Sequence, residues 1–148
     1  MKAIIFNEYG GHDKLEYVDI PVPKAGEGEL LVKIAAASVK PVDWKVREGR
    51  LKFMTGKKFP LFAGSELSGI VEEVGPGVSG FVKGDRVFAG LTRKGGAYAE
   101  YAVAKSEKVI KIPDSMSHET ASTLAVAGVT PLQSFTRHFK VKVEIMCW

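Results

Sequence analysis

The chain is 148 residues long, which is one domain by length with room for a packed core. Apolar residues at 45% and charged residues at 26% exclude a disordered chain, and the net charge of +4 is modest. No apolar run approaches the ~20 residues that span a bilayer, and the single Cys147 excludes an internal disulfide framework and a cysteine-built zinc cluster.

The N-terminus, MKAIIFNEYGGHDKLEYVDI, brings charge and turn residues at once, unlike a secretory signal, so a reducing cytoplasm is the expected setting. Within it KAIIF reads as a short strand, NEYGGHDK as turns, and LEYVDI as a second, alternating strand. PVPKAGEGE is a loop, because Pro21 and Pro23 cannot both donate to a ladder and Gly26 and Gly28 punctuate it. ELLVKIAAAS is a long apolar strand. PVDWKVREG reads as a short helix with Pro41 in its first turn and Gly49 behind it.

The stretch from Lys45 to Lys58 is the most basic of the chain, with Lys45, Arg47, Arg50, Lys52, Lys57 and Lys58 against Glu48. Trp44, Phe53 and Phe59 lie close in sequence, but no nucleic-acid motif accompanies them, so a solvated loop is the better reading. ELSGIVEEVG is a strand in which Gly69 marks a bulge or a close backbone approach. After the loop GPGVSGFVKGD come three short strands, RVFAGL, GAYAEYAVA and EKVIKI. Many short strands with Gly-rich turns make a mainly β body, a barrel or a sandwich.

The character changes after IPDSMS. SHETASTLAVAGVTPLQSFTRHFK is helical in period, with Ser117 as its cap and Glu119 and Thr120 in the first turn. Gly128 and Pro131 predict two helices joined near AGVTP. Residues 1–115 are thus a β domain and 116–148 a helical C-terminal arm.

In order and spacing the chain resembles the N-terminal half of a medium-chain dehydrogenase/reductase, of the zinc-independent quinone oxidoreductase (zeta-crystallin-like) branch. The resemblance is carried by MKAIIFNEYGG, VDIPVPKAGEGELLVKIAAASVKPVDWKVREG, GSELSGIVEEVGPGVSGFVKGDRVFAG, GGAYAEYAVA and IPDSMSHETASTLAVAGVTPLQSF. It implies a GroES-like β-barrel that holds substrate, joined in the family to a Rossmann domain that holds NADPH. It also implies reduction of a quinone or other small apolar carbonyl compound by hydride transfer, with the cofactor doing the chemistry and the protein positioning and polarising.

Zinc-dependent relatives carry a Cys where this chain has Lys40 and a His where it has Ser65. A protonated Lys is a poor ligand, Ser65 lacks the donor that zinc prefers, and Glu66 alone does not hold the ion. His12, His118 and His138 stand in unrelated contexts, so no metal is expected. Quinone reductases of this branch place an Asn where Lys40 stands. Lys40 is either a cation that polarises a substrate carbonyl, or drift. Asp43 either orients the loop and pairs with Lys40 or caps the helix. Trp44 lines the pocket or packs the barrel. Thr130 matches a position that reaches the nicotinamide carboxamide, or is a helix cap.

A dinucleotide fingerprint needs G-x-G-x-x-G set between a strand and a helix. GPGVSG and RKGGAY lead into strands, and no stretch of this sequence offers the pattern in that setting, so the Rossmann half is missing from it. In the family a Gly-Asp and a Val-Leu-Val-type strand follow HFKVK. Here VEIMCW follows. Read one frame over, the codons of Met146, Cys147 and Trp148 and any stop codon force Val-Leu-Val, and those of Val143 to Ile145 permit Gly-Gly-Asp-Asn. A frameshift-truncated reductase, inactive alone, is the resulting expectation; a free-standing β-barrel that binds an apolar ligand or partner chain is its alternative. The arm residues Leu124, Val126, Val129, Leu132, Phe135 and Phe139 would then lose cover, and self-association through the arm is expected.

Overall fold

A computed structural model describes residues 1–91 and 95–138, so Phe139 and the terminal VEIMCW lie outside the described residues. The body is two antiparallel sheets. In the smaller, β1 (Lys2–Phe6) runs between β2 (Glu16–Asp19) and β4 (Leu61–Phe62). The larger has five strands in the order β7 (Tyr101–Lys105), β3 (Glu29–Ala37), β5 (Glu66–Val74), β6 (Arg86–Gly90) and β8 (Val109–Lys111). It curls into a half-barrel, and the smaller sheet is tied to it by an Ala3–Ala99 bridge and by the Ile4 amide donating to the Tyr98 carbonyl at 2.8 Å. The fold is mainly β, as the strand pattern requires.

Period-2 alternation places the core. Val87 and Ala89 of β6 and Ala102 and Ala104 of β7 point inward while their neighbours do not. The central strands are covered on both faces: Leu30, Leu31 and Val32 of β3 are buried in succession, as are Glu66, Leu67, Ser68 and Gly69 of β5. At Gly69 the β3 backbone lies too close for a side chain. A Cβ there would lie 2.1 Å from the Lys33 carbonyl oxygen, and the register shifts nearby, between Ile34 and Ala36. After β5, the GPGVSG stretch turns directly toward β6 with no helix behind it.

The helices are short. α1 (Pro41–Arg47) and α2 (Lys52–Thr55) connect β3 to β4. The arm holds α3 (His118–Ala121), α4 (Leu124–Ala127), α5 (Val129–Gln133) and a wider turn at Ser134–His138. Two of its helices, α4 and α5, meet at Gly128 in AGVTP, as expected. Gly128 is helical, its amide donates to the Leu124 carbonyl at 2.9 Å, and the chain passes from α4 into α5 through AGVTP. A further interruption, not expected from the sequence, lies at Ser122–Thr123, whose hydroxyls donate at 2.8 Å to the carbonyls of Glu119 and Thr120 respectively. Short hydroxylated side chains there satisfy carbonyls that a continuing helix would use. Ser117 caps α3 as the sequence indicates, accepting from the Thr120 amide at 3.2 Å. No helix among the described residues is long and apolar enough to cross a membrane.

Candidate functional site

Two polar clusters and an apolar cavity meet where β3, α1 and β5 converge. Lys40 precedes Pro41, which holds it extended (φ −129°, ψ 158°) and makes it the cap of α1. Its amide donates to Asp43 Oδ2 at 2.8 Å, closing the first turn. Tyr98 donates to the same carboxylate oxygen at 2.9 Å and approaches the Ser38 carbonyl at 3.3 Å. Burial first, then the hydrogen bond to Asp43 and its charge, push the Tyr98 hydroxyl well above its ordinary pKa, so it stays a proton donor. The Tyr98 ring lies over Gly64, whose φ of +85° and lack of a Cβ, which would fall 2.5 Å from that ring, both favour glycine.

Directly after Gly64 come Ser65 and Glu66, the start of β5. Glu66 is 0% exposed. Its Oε2 takes the Lys40 ammonium and lies 3.4 Å from the Ser38 hydroxyl. The Lys40 side chain is 13% exposed, and its ammonium also donates to the Thr123 carbonyl at 3.2 Å, linking the break of the arm to the site. Glu66 Oε1 and Ser65 Oγ are buried and have no hydrogen-bond partner among the described residues. A buried carboxylate is tolerated when paired, and here the pairing cation comes from 26 residues upstream.

A cavity of about 280 Å³ with mostly apolar walls lies alongside; Asp43 and Ser65 line it, while Lys40 and Glu66 are not among its lining residues. Val42, Val46, Leu51 and Met54 come from the α1–α2 segment, Ala63 to Ser65 from the turn into β5, Leu91 from the end of β6 and Val126 from the arm. Asp43 lines it too, so one wall carries a carboxylate bonded to Tyr98. Tyr9 fixes the far end of α2, its hydroxyl lying 2.7 Å from Thr55 Oγ1 and donating to the Gly56 carbonyl.

Of the residues singled out in the sequence, Lys40 and Asp43 come together here. Trp44 stands next to them in the chain but not among the cavity walls; its half-buried ring lies under the Arg50 guanidinium at 4.7 Å and the Lys45 ammonium at 5.6 Å. Thr130 is exposed on α5, away from Lys40 and Asp43 among the described contacts, and its carbonyl accepts from Ser134 Oγ at 2.9 Å. Glu66 as partner to Lys40, and Tyr98, Ser38 and Thr123, were not read as site residues. An acid opening an otherwise apolar strand is a signal that a cation must reach it; the other three are joined only through long-range folding.

The donors around Glu66 are an ammonium and hydroxyls. That set does not fit zinc, which takes thiolate, imidazole and carboxylate, and the Lys40 cation already occupies the carboxylate. His118 is placed elsewhere, its Nδ1 2.8 Å from the Ser68 hydroxyl. Nor do the described residues form a pyrophosphate cradle, since no Gly-rich turn among them leads from a strand into a helix.

The alcohol dehydrogenase GroES-like domain family matches residues 26–114. The chloroplast envelope quinone oxidoreductase homolog of Arabidopsis thaliana is 39% identical over 146 residues, covering 97% of this chain and 44% of the relative. The trans-enoyl reductase resD of Aspergillus sclerotiorum is 48% identical over 120 residues, 76% of this chain and 31% of the relative. Among solved structures, a mycobacterial protein complexed with NADPH superposes with a TM-score of 0.85 at 35% identity, over 96% of this chain and 43% of that one. The chain thus spans less than half the length of the relatives it matches. It belongs to the alcohol dehydrogenase GroES-like domain family, within the quinone oxidoreductase branch of the medium-chain dehydrogenases/reductases.

Proposed function

We propose that this chain is the substrate side of a zinc-independent, NADPH-dependent quinone or enone reductase, with Lys40 as the cation that meets the substrate carbonyl. The observation that carries the reading is the Lys40–Glu66 ion pair set beside an apolar cavity. An apolar carbonyl compound has the chemistry to fill those walls, and an ammonium held by a buried carboxylate favours negative charge developing on the carbonyl oxygen. Asp43 holds the Lys40 backbone and the Tyr98 hydroxyl in place, and Trp44 stiffens α1 behind the wall.

NADPH supplies hydride when it is bound, and Thr130 is the candidate contact to its nicotinamide end. Because the described residues form no pyrophosphate cradle, turnover in this reading requires a Rossmann unit, and the chain alone is inactive. The same arm that would meet such a unit is the surface for self-association.

The test is a titration with 1,4-naphthoquinone and with naphthalene, followed by amide NMR shifts. Quinone is expected to shift Ala63, Gly64 and Leu91, and Lys40→Met to weaken quinone about tenfold while leaving naphthalene unchanged, the size of one charge-assisted hydrogen bond. NADPH absorbance in the same mixture should stay constant. Equal losses for both ligands, or NADPH consumption by the chain alone, would refute the reading.

A further inference from the structure

Few polar side chains interrupt the cavity wall, and among the described residues all but one of them are satisfied within the protein. The polar side chains in the wall are Asp43, Thr55 and Ser65. Asp43 Oδ2 accepts from the Lys40 amide at 2.8 Å and from the Tyr98 hydroxyl at 2.9 Å. The Thr55 hydroxyl lies 2.7 Å from the Tyr9 hydroxyl and 3.3 Å from the Leu51 carbonyl. Ser65 differs. Its backbone is held, because its carbonyl accepts from the Leu91 amide at 2.8 Å just before β5 begins. Its Oγ, in contrast, is buried and has no hydrogen-bond partner among the described residues.

A buried hydroxyl without a partner costs free energy, so such groups are few in folded proteins and call for an acceptor. Glu66 Oε1 is in the same state, but Glu66 is not in the cavity wall. A serine side chain turns among three staggered positions about its Cα–Cβ bond. At Ser65 that turn breaks no hydrogen bond to a described residue. An acceptor brought into the cavity therefore gains a donor at no loss to the protein. The chemistry of that acceptor is limited from two sides. The apolar walls suit an apolar ligand, and the Asp43 carboxylate in the same wall disfavours an anionic one.

We propose that Ser65 is a positioning residue of the cavity, its hydroxyl donating to the neutral carbonyl oxygen of an apolar ligand and fixing how that ligand is oriented. This rests on the cavity being the substrate site. It makes the cavity select carbonyl compounds over hydrocarbons of the same shape.

The experiment titrates the wild-type chain, Ser65→Ala and Lys40→Met with 1,4-naphthoquinone and with naphthalene. Amide NMR follows Ala63, Gly64 and Leu91, and infrared difference spectra follow the quinone carbonyl stretch. Ser65→Ala should keep or raise the urea midpoint, because it removes a hydroxyl that the protein itself does not use. It should weaken naphthoquinone roughly three- to tenfold, the scale of one neutral hydrogen bond, and leave naphthalene unchanged. The carbonyl stretch of the bound quinone should lie below its value in an apolar solvent, and Ser65→Ala should move it back upward. An affinity and a stretch that Ser65→Ala leaves unchanged would overturn the proposal and leave the cavity reading standing. Equal weakening of both ligands would point to a change of wall shape and overturn it as well. So would a lowered urea midpoint, since the hydroxyl would then be bonded within the protein. If neither ligand moves the three amides in the wild type, the cavity reading and this proposal fall together. If Lys40→Met leaves naphthoquinone affinity unchanged while Ser65→Ala weakens it, the role of Lys40 falls and that of Ser65 stands.

Discussion

Lys40 and Glu66 differ in how far each has been taken from water, and that difference sets what each substitution costs. Glu66 is 0% exposed and has one other polar neighbour on its paired oxygen, the Ser38 hydroxyl at 3.4 Å. Lys40 is 13% exposed and keeps the Thr123 carbonyl. Lys40→Met strands a buried carboxylate, whereas Glu66→Gln leaves an ammonium with an acceptor and a path to solvent. Removing one partner of a buried pair costs about 3–5 kcal/mol, so urea unfolding should place Lys40→Met in that range. Glu66→Gln should cost less, about 1–2 kcal/mol, the scale of one charged hydrogen bond. Lys40→Met/Glu66→Leu should recover most of the loss, because a well-packed apolar pair replaces two desolvated charges. Equal losses in the two single variants, or a double variant as unstable as Lys40→Met, would show that the pair is not what holds this corner together.

At the scale of elements, the question is what fastens a four-residue helix to a sheet. α3 contributes one buried apolar side chain, Ala121, and a polar contact. His118 Nδ1 meets Ser68 Oγ at 2.8 Å, and that hydroxyl also reaches the Val87 carbonyl at 2.8 Å. Since the hydroxyl donates to Val87, the imidazole donates to the hydroxyl. Arg86 stands near, donating to the Pro113 and Met116 carbonyls at 3.1 and 2.6 Å. Burial first, then the Arg86 charge, lower the His118 pKa, against a smaller raising by Glu119. A group with a depressed folded pKa binds its proton more readily in the unfolded chain. Its contribution is therefore present above the ordinary histidine pKa of 6.5 and lost as pH falls from there through the lower folded value. Urea midpoints of the wild type should drop between pH 7.5 and pH 5.5, roughly one unit either side of that ordinary value. His118→Gln should show a shallower drop. Parallel curves for the two proteins would assign the pH dependence to other groups.

The same element shows what was legible in the chain and what was not. Ser117 as cap, Pro41 at a helix start and the alternating strands are local signals, and they stand where the pattern puts them. β4 has two residues, too few for a period to show, and its place is set by pairing with β1. The junction at Gly128 was legible, but the earlier break of the arm was not. Pro131 sits in the first turn of α5, and the hydroxyls of Ser122 and Thr123 interrupt the arm earlier. In the site, Lys40 and Asp43 are three residues apart and readable together. Glu66, Tyr98 and Thr123 reach them across 26, 55 and 83 residues, and no spacing rule joins groups that only the closed sheet brings near.

For the whole molecule, the arm carries apolar surface that the β body does not cover. Val126, Leu132 and Phe135 are 44%, 62% and 46% exposed, on consecutive turns from α4 to the end of the described chain. Three large apolar side chains so close together make a patch, where scattered ones would need no explanation. In the proposed reading this surface meets either a cofactor unit or a second copy of the chain. Sedimentation velocity should therefore show a mass that rises with concentration from monomer toward dimer. Leu132→Glu/Phe135→Glu should hold the chain monomeric, since a charge at each of two contact points must be desolvated on association. A wild-type chain that stays monomeric at every concentration, or a variant that associates equally well, would place the association elsewhere or nowhere. A separately supplied Rossmann unit distinguishes the two covers: it should dissolve the dimer if it takes the same surface, and leave the dimer intact if it docks on another.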